Sequence, residues 1–435
     1  MSSSAALDRS GSCAARPAHA GPGQPALADA LGAAASAVAA VLSGRTPEAP
    51  LQAVAARLRP AATDLAFSAL RAYGRGDAVL RPLLERPLKD ANAHALLLVA
   101  LARLEARPDE AHTIVDQAVE AAGRIGHGQF RGLVNGVLRS FERRRDALLD
   151  SLNRQPAARW QHPAWWIERL QQDHPDHWEA ILAAGNRRPP MALRVNRRRI
   201  AAVDFAARLQ AAGVATHAAG EDGLMLERPV PVDRLPGFAD GDCSVQDPGA
   251  QAACVLLDAA DGMRVLDACA APGGKTAHLL EHHALDLLAL DADAERLDRV
   301  ASNLARLGLA ATLRAEDCRD TAKWWDGRPF DRILADVPCS ASGVVRRHPD
   351  AKWLRRAGDI AGFARTQQDI LEALWPLLAP GGRLLYATCS VFRQENRGQI
   401  DAFLARHAEA RCVAEQSLLP APDHDGFYYA ALVRA

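Results

Sequence analysis

The chain has 435 residues, which is too long for one compact core and favours about three domains at roughly 150 residues each. Hydrophobic residues make up 49% and charged residues 24%, as in ordinary globular proteins. Lys plus Arg balance Asp plus Glu at 52 each, so the chain has no net positive charge that would indicate nucleic-acid binding. No apolar run reaches the roughly 18 residues of a membrane span, and the N-terminus lacks a signal peptide's basic and apolar regions, so we expect a cytoplasmic protein.

The N-terminal third is predicted to be helical. Residues 1–24 are rich in Ser, Ala, Gly and Pro without apolar periodicity, which predicts a disordered extension. Residues 25–152 repeat apolar side chains at helical spacing, as in Leu27, Leu31 and Val38, and contain no strand signals. The last helix of this segment ends in several arginines, which either contact RNA or only suit the helix dipole. We therefore predict an all-α domain over 25–152.

Residues 160–242 follow a linker and mix short helical and strand-like stretches, which predicts a small α+β module. Within it, residues 187–199 contain no acidic residue and six arginines: Arg187, Arg188, Arg194, Arg197, Arg198 and Arg199. Such a density predicts phosphate contacts with RNA or DNA, and the alternative is a solvated loop.

Residues 243–435 are predicted to form an α/β domain. From residue 262 onward, strand-like and helical stretches alternate, which indicates a mainly parallel sheet with right-handed crossovers. Ligands of such sheets bind at the C-terminal ends of the strands. Acidic or thiol side chains occur at or just beyond these predicted ends: Asp267, Asp291, Asp317, Asp336 and Cys389.

The first of these strands leads into a glycine turn and then a helix, over residues 264–281. A phosphate-binding loop would need Gly at position 269, which is Cys269, and a dinucleotide fingerprint would need spaced glycines, whereas Gly273 and Gly274 are adjacent. A turn without a ligand remains an alternative. However, Asp291 ends the next strand 17 residues after Gly274, a spacing that suits ribose hydroxyls and implies a nucleoside cofactor. Asp317 could then bind an adenine amine, or simply cap the next helix.

The eight cysteines include no C-x-x-C pair, so we expect reduced thiols and no metal site. Cys339 and Cys389 lie at neighbouring predicted strand ends, in D-V-P-C-S and A-T-C-S. Buried free cysteine is usually inert. Thiols at the ligand edge of a sheet, near Lys275 and a helix N-terminus, are nevertheless where a lowered pKa would produce a nucleophile.

Four motifs carry a family resemblance: D-A-C-A-A-P-G-G-K-T, D-V-P-C-S, R-R-H-P-D-x-K-W and Y-A-T-C-S. They resemble those of S-adenosylmethionine-dependent RNA cytosine-C5 methyltransferases, above all the bacterial 16S ribosomal RNA type. The resemblance runs from about residue 25 to the C-terminus, and L-V-N-G-V-L-R resembles a segment of NusB-like RNA-binding domains. It implies an all-α NusB-like domain, a small α+β RNA-binding module and a Rossmann-like class I methyltransferase domain. The chain departs from the family in A-D-V-P-C, where D-A-P-C is usual, and in E-D-C-R, which puts Cys318 where Gly is common.

The resemblance also implies roles for individual residues. The methionine and ribose part of S-adenosylmethionine would lie against Cys269, Ala270, Ala271, Pro272, Gly273, Gly274 and Lys275. Asp291 would bind the ribose and Asp317 the adenine. The catalytic residues would be Cys389, Cys339, Asp336 and Lys275. Cys389 would attack cytosine C6 and Cys339 would assist product release, while Asp336 would lie between cofactor and base.

The implied substrate is an unpaired or flipped-out cytosine in 16S ribosomal RNA, either unassembled or in an early precursor, and we expect a monomer. Two other functions compete with this one. A non-catalytic RNA-binding assembly factor could keep the fold, but it would not need the two thiols and the strand-end acids. A small-molecule oxidoreductase could use the same sheet, but the chain lacks the glycine fingerprint.

Overall fold

The computed structural model describes residues 27–152 and 154–434, so the predicted extension over 1–24 lies outside the described residues. The N-terminal part consists of α1 (Leu27–Leu42), α2 (Glu48–Gln52), α3 (Arg59–Arg71), α4 (Tyr73–Leu80), α5 (Ala91–Ala106), α6 (Ala111–Ala122) and α7 (Arg131–Leu152). Helices α1 and α5 pack together at its centre, because small buried alanines on α1 let the helices approach closely. The predicted all-α domain is confirmed.

The middle part contains α8 (Pro156–Trp160), α9 (Ala164–Asp173), α10 (Trp178–Gly185), β1 (Met191–Val195), α11 (Ala202–Ala211), β2 (Thr216–Ala218), β3 (Gly223–Leu226) and β4 (Cys243–Val245). The strands form an antiparallel sheet in the order β2-β3-β1-β4. Because β4 pairs with β1, this small sheet extends past residue 242.

The C-terminal part contains α12 (Pro248–Leu257), β5 (Arg264–Asp267), α13 (Gly274–His282), β6 (Asp286–Asp291), α14 (Ala294–Leu307), β7 (Thr312–Ala315), α15 (Thr321–Trp324), β8 (Phe330–Asp336), α16 (Ala351–Leu354), α17 (Asp359–Leu374), β9 (Leu378–Thr388), α18 (Arg397–Leu404), β10 (Ala410–Leu418) and β11 (Phe427–Arg434). Its seven-stranded sheet has the order β10-β11-β9-β8-β5-β6-β7. Strands β5 to β9 run parallel, β11 pairs antiparallel with β9, and β10 pairs antiparallel with β11. The mainly parallel α/β domain is therefore confirmed.

The chain order of the strands reverses between β5 and β8, which lie side by side. Both faces of the sheet are covered, since Val265 of β5 packs in the core with α12 to α14 while the next residue, Leu266, packs in the core with α17. Ligands bind α/β sheets at such a reversal point, outside the C-terminal ends of the strands. The fold therefore places a ligand cleft beside Asp267 and Asp336.

The segment around α16 joins the helical domain to the α/β domain. The Arg71 guanidinium donates from Nε and Nη2 to the Arg346 carbonyl at 3.1 and 2.8 Å. The indole of Trp353 donates to the Leu70 carbonyl at 2.7 Å, so the end of α3 is fixed to this segment. None of the helices in the described part of the chain is both long and apolar enough to cross a membrane.

Candidate active site

A cleft of about 470 Å³ opens at the C-terminal edge of the large sheet. Its lining includes eight of the predicted site residues: Cys269, Ala271, Pro272, Asp291, Asp317, Asp336, Cys339 and Cys389. Ala270, Gly273, Gly274 and Lys275 lie behind the lining, where they shape the glycine turn or contact a lining residue. A larger groove, of about 1080 Å³, lies on the helical domain and contains none of these groups.

The glycine turn between β5 and α13 depends on the lack of a side chain at Gly273. Its φ is +93°, a conformation that other residues rarely adopt, and a Cβ there would lie 3.0 Å from Val300 Cγ1 of α14. The carbonyl of Pro272 accepts a hydrogen bond from Asn303 at 2.9 Å, so α14 holds the turn from outside. These contacts with α14 therefore hold the turn in place beside the cleft.

Asp291 is buried at the end of β6 and holds the same turn. One carboxylate oxygen accepts from the backbone N of Ala271 at 3.1 Å, and the other accepts from the backbone N of Asp293 at 3.1 Å. Each carboxylate oxygen can accept a second hydrogen bond, so capacity remains for ribose hydroxyls. Asp291 thus shapes the cleft and can also serve as a ligand.

Asp317 lies in the loop after β7 and accepts hydrogen bonds from Arg319. The guanidinium donates to both carboxylate oxygens, with the shortest distance 2.6 Å from Nη2, and the Arg319 backbone N donates at 2.9 Å. These hydrogen bonds lower the pKa of Asp317. An adenine amine would therefore share this carboxylate with Arg319.

Asp267, at the end of β5, is only 1% exposed. Its Oδ2 accepts from the Thr276 hydroxyl at 2.6 Å, while its Oδ1 has no hydrogen-bond partner among the described residues. Burial raises the pKa of this carboxyl to about 7. A buried carboxyl oxygen without a partner, next to the cleft-lining Ala268, suits a polar group of a bound cofactor.

Lys275 and Asp336 form an ion pair across the reversal point of the sheet. Nζ of Lys275 lies 2.6 Å from Oδ2 of Asp336, 61 residues further along the chain. Burial lowers the pKa of Lys275, but the charge of Asp336 and its hydrogen bond outweigh that effect, and the net result is a raised pKa. The lysine therefore stays charged and fixes one oxygen of Asp336.

The two predicted catalytic thiols are adjacent. Sγ of Cys339 lies 3.4 Å from Sγ of Cys389, and both side chains line the cleft. The pKa of the Cys339 thiol lies well above its ordinary value, because the hydrogen bond with Cys389, burial and the charge of Glu395 all favour the protonated form. The expectation of a lowered pKa is therefore wrong for Cys339, which keeps its proton and can donate it toward the Cys389 sulfur.

Three further residues, Arg296, His348 and Glu395, lie at the site but were not among the predicted site residues. Arg296 and His348 line the cleft, and Arg296 also donates to the Ala271 carbonyl at 3.1 Å. Glu395 is fully buried behind the thiols. The available signal was a single acidic residue shortly after the T-C-S motif, within the polar run R-Q-E-N-R.

Most of the arginine strip over 187–199 serves contacts within the protein. Arg194 is fully buried, where it pairs with Glu281 of α13 at 2.7 Å and donates to the Gly274 carbonyl at 2.8 Å. Arg198 donates to the carbonyls of Glu281 and His283. The prediction that Arg194 contacts phosphate is therefore wrong. For the other arginines of the strip, a phosphate contact stays a prediction.

One group could be considered for a metal ion: Cys254, His278 and His282, whose ligand atoms lie within 4.8 Å of one another. Both ring nitrogens of His282 already make hydrogen bonds, Nε2 with Asp222 at 2.8 Å and Nδ1 with Arg197 at 3.0 Å. A metal would have to displace one of these partners. The absence of a metal site stays a prediction.

A cleft at the reversal point of a parallel sheet, lined by a glycine turn and strand-end carboxylates, is typical of α/β enzymes that bind a nucleoside cofactor. Family models agree with this class. The model described as 16S rRNA methyltransferase RsmB/F matches residues 254–433, an RsmF/B-like ferredoxin-like domain matches 162–233, and the NusB family matches 32–143.

Whole-chain relatives agree as well. The ribosomal RNA small subunit methyltransferase B of Pseudomonas syringae pv. tomato is 46% identical, over 92% of this chain and 96% of its own length. Its counterpart in Vibrio cholerae is 44% identical, over 85% and 88%. The crystal structure of PH0851 shares the fold, with a TM-score of 0.78 and 24% identity over 94% of this chain and 99% of that one. A methyltransferase homolog from Pyrococcus horikoshii has a TM-score of 0.57 and 25% identity, over 66% and 99%.

This chain belongs to the 16S rRNA methyltransferase RsmB/F family. The resemblance inferred from the four sequence motifs is thereby confirmed, together with the NusB-like, ferredoxin-like and methyltransferase parts.

Proposed function

We propose that this protein transfers a methyl group from S-adenosylmethionine to C5 of a cytosine in 16S ribosomal RNA, through a covalent bond between Cys389 and C6. The observation that carries the proposal is the thiol pair at 3.4 Å, which lines the same cleft as the Asp336 carboxylate and the glycine turn. The names of the relatives support ribosomal RNA as the substrate.

The cleft fits the cofactor in three respects. Asp291 has hydrogen-bonding capacity for ribose hydroxyls, and the buried Oδ1 of Asp267 lacks a partner among the described residues. Cys269 and Pro272 supply apolar surface at the turn. Asp317 would face the adenine. When bound, S-adenosylmethionine supplies an electrophilic methyl group on a sulfonium.

Cytosine C5 must become more nucleophilic before it can accept that methyl group. In the proposed step, the Cys389 thiolate adds to C6, so that an S–C6 bond forms and the electron pair of the C5–C6 double bond moves to C5 and the ring. Asp336, with one oxygen held by Lys275, passes to N3 the proton that the Cys389 thiol releases, which stabilises the adduct, and takes this proton back when the adduct breaks down. The Cys339 thiol lies 3.4 Å from the attacking sulfur and can donate a hydrogen bond to it.

Release reverses the addition. After methylation a base takes the C5 proton, the C5–C6 double bond re-forms and the S–C6 bond breaks, returning the electron pair to Cys389. Cys339 lies within 3.4 Å of the departing sulfur, so its thiol can stabilise the charge that develops there. The two cysteines therefore act at opposite ends of one covalent cycle.

Denaturing gel electrophoresis after incubation with 16S RNA and cofactor tests this assignment. Cys389→Ala should lose activity and form no protein–RNA adduct, because no S–C6 bond can form. Cys339→Ala should accumulate an adduct that contains methylated RNA. Cys412→Ala is the matched control, since this thiol lies on the distant edge strand β10, and it should behave as the parent.

An adduct in Cys389→Ala and none in Cys339→Ala would reverse the two roles. Retained methylation without an adduct in either variant would contradict covalent catalysis. Cofactor binding in a parent protein that never methylates RNA would favour the non-catalytic assembly factor instead.

A further inference from the structure

A buried carboxylate lies behind the two thiols and takes no part in the chemistry described above. Glu395 is fully buried in the turn that follows the T-C-S motif, and its two oxygens accept four hydrogen bonds. Oε1 accepts from the backbone N of Ser340 at 2.8 Å and from Nε2 of Gln367 at 3.1 Å. Oε2 accepts from the hydroxyls of Ser340 at 2.5 Å and Ser390 at 2.6 Å.

The two serines connect this carboxylate to the thiols. Ser340 directly follows Cys339 after β8, and Ser390 directly follows Cys389 after β9, 50 residues later. One side chain therefore bridges the two loops that carry the active-site sulfurs. A carboxylate suits this place because it is only an acceptor, with about four lone-pair sites for the four donors.

The same two loops also contact each other through their backbones. The backbone N of Gly343 donates to the Cys389 carbonyl at 2.8 Å. A Cβ at Gly343 would lie 2.9 Å from that carbonyl oxygen and 2.3 Å from the Gly426 oxygen, so the loops approach as closely as their backbones allow. The two loops that carry the sulfurs are thus joined by a backbone contact as well as by the Glu395 bridge.

We propose that Glu395 is a positioning residue that holds Ser340 and Ser390 together and thereby fixes the distance between the Cys339 and Cys389 sulfurs. Its loss would remove the acceptor that these four donors share and would leave the backbone N of Ser340 without a partner. The two serines would then be joined only through their own hydroxyls and that of Ser342, so the loops could separate. The catalytic consequence rests on the proposed function, whereas the effect on the distance between the sulfurs does not.

The distance can be tested without RNA or cofactor. Diamide, a two-electron oxidant, takes two electrons and two protons from a neighbouring thiol pair and leaves a disulfide. The rate of Cys339–Cys389 disulfide formation, read by mass spectrometry of the linked peptides, reports how closely the two sulfurs are held. Glu395→Ala should slow this rate by about tenfold or more, because a rigidly held pair reacts at a far higher effective concentration than a loose one.

Two further variants keep the test decisive if Glu395→Ala fails to fold. Ser390→Ala removes a single donor, and Glu395→Gln keeps the volume while turning an NH₂ group toward two donors, so both should give intermediate rates. Glu281→Gln is the matched control: it alters a buried carboxylate of the same domain that faces Arg194 and not the thiols. It should lower the melting temperature but keep the parental disulfide rate.

Parental disulfide rates in the folded Glu395 and Ser390 variants would overturn the proposal and leave Glu395 a purely structural residue. In the RNA methylation assay, we expect Glu395→Gln to have a lower kcat, an unchanged cofactor affinity and a longer-lived RNA adduct than the parent. If disulfide formation is slower in the Glu395 variants but the parent protein methylates no RNA, the positioning role is supported and the proposed function is contradicted.

Discussion

At the scale of single residues, Asp291 combines two roles that a variant can separate. Asp291→Ala should weaken S-adenosylmethionine binding by about 1–3 kcal/mol, because ribose hydroxyls lose a charged acceptor and the Ala271 backbone N loses its partner. Asp293→Ala is the control, since Asp293 only caps α14 by accepting from the Arg296 backbone N. It should cost about 1 kcal/mol of stability without changing affinity. Calorimetry that finds equal affinity in both variants and the parent would remove Asp291 from the site.

Asp267 makes stability depend on pH with the sign opposite to that of most carboxylates. Because burial raises its pKa from 3.8 to about 7, the folded chain retains a proton that the unfolded chain releases. This contribution is fully present below the unfolded pKa of 3.8 and is lost as pH rises through 7, by up to about 4 kcal/mol at 1.4 kcal/mol per unit.

Asp267→Asn cannot titrate, so its melting temperature relative to the parent should rise between pH 5 and pH 8 in the absence of cofactor. Differential scanning at several pH values would check this. A difference between the two proteins that stays constant with pH would mean that Asp267 titrates normally.

Among the secondary-structure elements, the unit of β5, the glycine turn and α13 offers a matched pair of neighbouring glycines. Gly273→Ala forces a side chain into a positive-φ position against Val300 and should cost about 1–3 kcal/mol, with a loss of cofactor affinity because the turn lining the cleft must move. Gly274→Ala should stay close to the parent, since the nearest atom to its Cβ would be Gln246 Nε2 at 3.5 Å. Equal affinity loss in both variants would contradict a special role for Gly273.

Elements with local signals were predictable from the sequence, and those defined by distant partners were not. Helix α14 has such local signals, because Asp293 caps its start and Gly308 ends it with a positive φ. Strands β10 and β11 escaped prediction, since only the pairing of β11 with β9 and of β10 with β11 makes them part of the sheet. Likewise, Lys275 was placed in the site by its motif, but its ion pair with Asp336 exists only in the folded chain.

At the scale of the whole molecule, the segment of α16 connects the helical domain to the methyltransferase domain. It continues directly from the loop that carries Cys339, and its Trp353 packs edge-to-face on Tyr73 of the helical domain with ring centroids 4.6 Å apart. The density of basic residues in and around this segment predicts phosphate contacts with RNA from Arg346, Arg347, Lys352, Arg355 and Arg356. Arg346 is instead buried and pairs with Asp425. Lys352 is also fully buried, where it donates to the Gln161 carbonyl and the Asn186 side chain, both at 2.9 Å. The prediction that Lys352 contacts phosphate is therefore wrong, and its hydrogen bonds instead join parts of the protein.

Trp353→Ala should loosen the helical domain from the methyltransferase domain. It removes the 2.7 Å bond to the Leu70 carbonyl and the aromatic contact with Tyr73, a loss of about 2–4 kcal/mol at the interface. We expect calorimetry to resolve two unfolding transitions where the parent shows one. RNA affinity should fall while cofactor affinity stays parental, because none of the cleft residues is altered.

Trp325→Ala provides the control for the removal of a large indole. Trp325 also donates to a backbone carbonyl, that of Arg328 at 2.8 Å, but both residues belong to the methyltransferase domain. Its loss should lower the methyltransferase transition without separating the domains or weakening RNA binding. A single parental transition in Trp353→Ala would show that other contacts, such as those of Arg71 with the Arg346 carbonyl, hold the domains together without it.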